Sequence, residues 1–201
     1  MASGTPAASV EHLDVHFDFT CRFANWVHLW LGQLTVDADW LPFSLLEAKR
    51  EGDGPPVWQQ AEHADNISLL LLAGHELVRE HRGDIAAYRR SVFAAWHGKR
   101  ERLDRASVLG YAERSGVEAA AEDLHAAVAL VGDRHGKGVE RGVFGSPTIV
   151  FPSGQGSFVR FTDLPSVDQA PAILAALRTL AERAPELVHL ERLRDAVVPA
   201  R

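Results

Sequence analysis

From Val10 to Phe19 the chain alternates without interruption, with Leu13, Val15, Phe17 and Phe19 on one side and His12, Asp14, His16 and Asp18 on the other. A period of two is the mark of a strand, and after Cys21 it gives way to another period. Phe23, Trp26, Val27, Trp30, Leu31 and Leu34 fall at i, i+3, i+4, i+7, i+8 and i+11. That is one apolar stripe, about three turns long, on a helix. The switch commits the start of the chain to a β-α unit with Cys21 at its joint. Asp39–Leu46 (DWLPFSLL) reads as a second strand, and Pro42, which cannot donate to a ladder, puts it at a sheet edge. Such a strand–helix–strand unit is parallel and right-handed in nearly all proteins.

Gly52–Pro56 (GDGPP) is the strongest break in the chain. Beyond it, residues 57–140 carry only helical periods. Ile67, Leu70, Leu71, Leu77 and Val78 share one face; Ile85, Tyr88, Val92, Ala95 and Trp96 share another, with Asp84 as an N-cap. Asp104 and Ser115–Glu118 bracket shorter helices, and Val117, Ala121, Leu124 and Val128 mark one more. No repeat period links them, so the block is not a solenoid. Strand character returns at Gly142–Phe151 (GVFGSPTIVF) and, after a short loop, at Ser157–Phe161, a pair that reads as a hairpin. A final helix carries Ile173, Leu174, Leu177 and Leu180 on one face, with Ser166 and Asp168 as its caps and Pro171 near its start. The expected fold class is therefore α/β with an inserted all-α domain. Residues 10–56 and 141–183 form the α/β domain, 57–140 the insertion, and 184–201 a C-terminal helix and tail.

Composition narrows the function classes. A net charge of −6 over 201 residues argues against nucleic acid or a membrane surface as partner, since both demand a basic footprint. The best apolar run, Ile67–Ala73, falls far short of the roughly 18–20 residues of a bilayer span. The first ten residues (MASGTPAASV) lack the basic start and apolar stretch of a secretion signal, so a cytoplasmic location is expected. Arginine heavily outnumbers lysine and alanine is abundant, a composition associated with GC-rich bacterial genomes. One cysteine rules out a disulfide framework and a thiolate zinc site of the usual kind. Ten histidines do not add up to a metal site. His75-Glu76-Leu77-Val78-Arg79 has Arg79 where H-E-x-x-H needs its second histidine, and His12 and His16 share a strand face without a third ligand. No metal and no bound cofactor are expected. The glycines of GDRHGKGVERG are wrongly spaced for a dinucleotide fingerprint, and no G-x-S-x-G occurs.

The element order, with HFDFTC closing the first strand and GVFGSPTIVF about 125 residues on, resembles the DsbA-like branch of the thioredoxin fold. That branch includes DsbA-type thiol–disulfide oxidoreductases, hydroxychromene-carboxylate isomerases and kappa-class glutathione transferases. The resemblance spans about residues 10–183, and GDIAAYRRSVFAAWHGKRERLDRASVLGYAERSGV is similar to the family's inserted helical domain.

The resemblance implies that Cys21 is the reactive residue, at the first turn of the helix after strand one. Only a thiolate is nucleophilic, and the unpaired N–H groups and dipole of a helix start stabilise an anion. The alternative is a small buried apolar residue without a task. Arg22 adds a fixed positive charge close by and is taken as substrate-binding. The departure from the family lies at Cys21-Arg22-Phe23-Ala24, where Ala24 replaces the resolving thiol of the Cys-x-x-Cys pair. Without that thiol, Cys21 can form a mixed disulfide but cannot release its partner by closing an internal bridge. Release then needs an external small thiol such as glutathione or mycothiol as cosubstrate. The family also implies a cis peptide at Ser146–Pro147 facing the reactive residue, with Ser146 and Pro147 orienting a small-molecule or protein-thiol substrate. Three roles are open to Asp18: proton acceptor for the thiol, a negative charge that raises the thiol's pKa by repulsion, or cap of the helix. Asn25, a candidate supporting residue like Asp18, and His28 lie on the helix's polar face. Trp58 is placed either in the core or along the cleft beneath the helices. Three functions follow as alternatives: a monothiol oxidoreductase, a thiol-dependent isomerase or transferase acting on an electrophile, and a catalytically silent binding module. The resemblance also allows a homodimer.

Overall fold

The computed structural model describes residues 11–184 together with 186 and 187. The elements run β1 (Glu11–Phe17), α1 (Arg22–Leu31), β2 (Val36–Pro42), α2 (Leu45–Ala48), α3 (Ile67–Glu80), α4 (Ile85–Phe93), α5 (Arg105–Arg114), α6 (Ala121–Glu140), β3 (Thr148–Val150), β4 (Gly156–Phe158) and α7 (Ala170–Arg183). Val10 and most of the expected C-terminal helix and tail lie outside the described residues.

The sheet order is β2-β1-β3-β4. β1 pairs parallel with β2 (Val15 opposite Trp40) and antiparallel with β3 (Val15 opposite Ile149), and β3–β4 is an antiparallel hairpin. β2 is at the edge, where Pro42 leaves no ladder bond unmade. Leu13, Val15, Phe17 and Phe19 are wholly buried and meet Val27 and Trp30 of α1 and Leu71 and Leu72 of α3 in one core.

The side of β1 read as polar is covered as well. α6 lies against it, and a Cβ on Gly138 would come within 3.0 Å of the His16 ring, so the absent side chain is what admits the imidazole. His16 is buried with neither ring nitrogen partnered among the described residues.

Several boundaries differ from expectation, each for a local reason. The second strand runs 36–42 rather than 39–46, because Ser44 caps α2 by accepting from the Glu47 N–H. The S-x-x-E signal thus outweighs the apolar run. The strand expected over 142–151 is confined to Thr148–Val150. Gly142, at φ +83°, instead closes α6: its N–H donates to Val139 O and the Val143 N–H to Gly138 O, the paired bonds of a Schellman turn. The hairpin's second strand is 156–158, not 157–161. Ser166 and Asp168 do not cap α7; Gln169 precedes it without a side-chain bond, and Ser166 contributes its backbone carbonyl. Leu34 falls past the end of α1, which Gly32 closes.

Within the helical segment α3 is buried on every side from Ser68 to Val78. Gly74 allows this, since a Cβ there would lie 2.2 Å from the Tyr88 hydroxyl and 2.6 Å from Val108. Asp84 caps α4 by accepting from the Ala87 N–H, and Asp104 caps α5 in a capping box with Ser107. The His75-Glu76…Arg79 run is a structural clamp. Buried Glu76 meets His75 Nδ1 at 3.1 Å and accepts from Arg79 at 3.2 Å and Arg134 at 2.9 Å, while Arg79 also reaches Asp39 and the Trp40 carbonyl of β2 at 2.7 Å. Burial works to raise the Glu76 carboxyl, but His75 and the two guanidiniums outweigh it and hold it at about 2. No described helix is long and apolar enough to cross a membrane.

Candidate active site

β1 ends at Phe17, and the next four residues carry the chain from the sheet into α1. Cys21 is the N-cap of α1, with extended backbone (φ −77°, ψ 114°). Its N–H donates to Asp18 O at 3.1 Å, and its carbonyl accepts from the Asn25 N–H at 3.2 Å. Among the described residues no side chain caps α1, and no acidic residue stands in its first turn. Cys21 is buried with 7% of its surface exposed, and its thiol donates to the Ser146 carbonyl at 3.2 Å. The Ser146–Pro147 peptide is cis. Two chain segments 125 residues apart thus meet at one sulfur.

Asp18 does not cap α1. Its fully buried carboxylate accepts from the Thr20 N–H (2.8 Å) and hydroxyl (2.7 Å), from the Leu45 N–H at the start of α2 (2.9 Å) and from the Ser68 hydroxyl of α3 (3.0 Å). Its own N–H donates to Ser146 Oγ at 2.9 Å. It ties the end of β1 to two helices and to the loop bearing Ser146. The thiol's donation goes to the Ser146 carbonyl.

Arg22 is exposed, its guanidinium over the Phe23 ring at 5.2 Å to the centroid. Ala24, at the position of the resolving thiol, is wholly buried in the core. Asn25 is half-buried and enters through its backbone. His28 is not solvated on a polar face; it stacks on Phe93 of α4 at 4.8 Å, and burial followed by the charge of Arg89 pushes it down to about 4. Trp58 packs against Gly132 and His135 of α6.

Periodicity alone did not reveal His97. It lies on the π-helical turn Ala94–Lys99 that continues α4, and its Nε2 is 2.7 Å from the Phe19 carbonyl, two residues before Cys21. Because a carbonyl only accepts, Nε2 carries the proton. The only signal in sequence was a histidine beside a glycine, and a π turn leaves no period to read. Phe158 and Arg160 were missed too. A Cβ on Gly145 would sit 2.9 Å from the Phe158 ring, and Arg160 lies over both Phe158 (4.8 Å) and Phe23 (5.7 Å). Two surface cavities, of about 240 and 350 Å³, open around Asp14 and Arg141 on the α6 side of the sheet; Cys21, Ser146 and Pro147 line neither.

No protein-family model and no curated protein matches the chain. Solved structures do. A 2-hydroxychromene-2-carboxylate isomerase matches at TM-score 0.57 and 19% identity, over 89% of this chain and all of that one. A probable DsbA oxidoreductase from Streptomyces coelicolor matches at TM-score 0.56 and 14% identity, over 92% and 94%. DsbA from Mycobacterium tuberculosis in its oxidised form matches at TM-score 0.53 and 15% identity, over 85% and 94%. At such identities the likeness is one of fold: a DsbA-like thioredoxin fold with a helical insertion.

Proposed function

On a DsbA-like fold with one thiol where α1 begins, we propose that the chain is a monothiol oxidoreductase that exchanges disulfides through Cys21 and an external small thiol, glutathione or mycothiol. The observation that carries this reading is the position of Cys21 as an N-cap without a competing cap, its sulfur 3.2 Å from the Ser146 carbonyl. The thiolate of Cys21 attacks one sulfur of a disulfide RSSR. A bond forms to give Cys21–S–S–R, and the other half leaves as RS⁻. Ala24 cannot attack this intermediate, so a thiolate R′S⁻ from solution does. It regenerates the Cys21 thiolate and releases R–S–S–R′, with no net change in the protein. The carbonyl of Ser146 borders the sulfur on one side, and α1 begins at Cys21 on the other, where a helix start favours an anion. The setting proposed for this chemistry is the bacterial cytoplasm, with a small-molecule or protein-thiol substrate.

The test is turnover of hydroxyethyl disulfide with glutathione. The wild-type chain should exchange it, Cys21→Ser should not, and the trapped mixed disulfide should persist until thiol is added. Ala24→Cys should release its partner without added thiol. Thiol consumed by an electrophile with no disulfide change would move the chain to the isomerase and transferase class, and an unreactive Cys21 would leave a binding module.

A further inference from the structure

A chain of contacts leads from the sulfur to two arginines. Cys21 touches Ser146 through its thiol; Gly145, next to Ser146, faces the Phe158 ring; Arg160 lies over Phe158 and over Phe23; and Phe23 is two residues from Cys21. Arg22 lies over Phe23 as well, so that ring carries two guanidiniums. Phe144, 73% exposed, extends the aromatic surface by packing on Phe158 at 5.3 Å. Neither Arg22 nor Arg160 has a carboxylate partner among the described residues. Arg50, Arg79, Arg105, Arg134 and Arg141, by contrast, are each bonded to one.

Two cations without a carboxylate partner among the described residues, held over the ring of Phe23 two residues from Cys21 in a chain of net charge −6, form a local positive field set against the charge of the whole. The rings restrict where the guanidiniums can go, which reduces the ordering cost of meeting an anion. We infer that the rim formed by Arg22, Phe23, Phe158 and Arg160 selects thiols and disulfides that carry a carboxylate near the sulfur, over neutral and cationic ones. The inference rests on the proposed monothiol exchange and names its cosubstrate class: an acidic thiol of the glutathione kind rather than an uncharged sugar thiol. The carboxylate meets a guanidinium as the disulfide reaches Cys21. The acidic leaving thiolate is then expelled into a cationic rim.

The experiment measures the rate of Cys21 mixed-disulfide formation with three probes: oxidised glutathione (acidic), hydroxyethyl disulfide (neutral) and cystamine (cationic). Each rate is divided by that of the same probe with an unfolded control to remove intrinsic reactivity. The wild-type chain should favour the acidic probe over the cationic one by on the order of tenfold, and the ratio should shrink as salt is raised. Arg22→Gln with Arg160→Gln should bring the ratio close to one, and Arg160→Glu should reverse its sign while the reaction with the neutral probe continues. A reactive Cys21 with no charge preference, or a preference unchanged in these variants, overturns the inference and leaves monothiol exchange standing. A folded chain inert to all three probes overturns both.

Discussion

Both oxygens of the Asp18 carboxylate are engaged by protein donors on the β1–α1 turn, α2 and α3, and its backbone N–H reaches Ser146. Removing a charged acceptor from such a site leaves buried donors unsatisfied. Asp18→Asn, which turns an amide N–H toward donors, should cost about 2–3 kcal/mol in urea denaturation. It should also slow Cys21 alkylation as the Ser146 loop loosens. At this scale the sequence showed Cys21 correctly as the joint between strand and helix. It could not show Asp18's partners, since Leu45 and Ser68 lie 27 and 50 residues away. Arg160 was illegible for the same reason, because nothing local ties SFVRF to a phenylalanine on α1.

The contact between β1 and α6 joins a glycine to a histidine. Burial, followed by the charge of Arg141, pushes His16 down to about 4 from its ordinary 6.5. The unfolded chain therefore binds the extra proton across that interval, and stability falls as pH drops through it. From pH 7 to pH 5 this one group should cost of order 1–2 kcal/mol. His16→Leu should flatten that part of the slope and, by removing two unpartnered nitrogens, stabilise the chain at pH 7 by about 1 kcal/mol. Paired chemical denaturations at the two pH values measure both effects. In the helical segment, Gly74→Ala drives a methyl into the Tyr88 hydroxyl and Val108. The expected cost is roughly 2–3 kcal/mol, read from the thermal midpoint. Helix periods were legible where one apolar stripe runs the length of the element, as in α1 and α7. Strand lengths were less so: an apolar run reads alike in β3 and in the turn before it, and only the Schellman bonds at Gly142 separate them.

For the molecule as a whole, the element order carried the fold. The switch from a period of two to a helical period at Cys21, the GDGPP break and the return of strand character around Thr148 suffice to outline a thioredoxin-like sheet interrupted by helices. How the helical segment meets the sheet was not legible. Glu76, Arg79 and Arg134 tie α3 and α6 to β2, His28 stacks on Phe93 of α4, and His97 reaches the Phe19 carbonyl, all through contacts between elements distant in sequence. The start of α1 meets the Ser146 loop through the Asp18 N–H on Ser146 Oγ and the Cys21 thiol on the Ser146 carbonyl, and at that junction the sulfur has to act. Intact-mass spectrometry of the folded chain after exposure to oxidised glutathione tests this most directly. The account predicts a single adduct that maps to Cys21 and leaves on addition of free glutathione. A folded chain that stays unmodified, while the same reagent labels its urea-unfolded form, would contradict it.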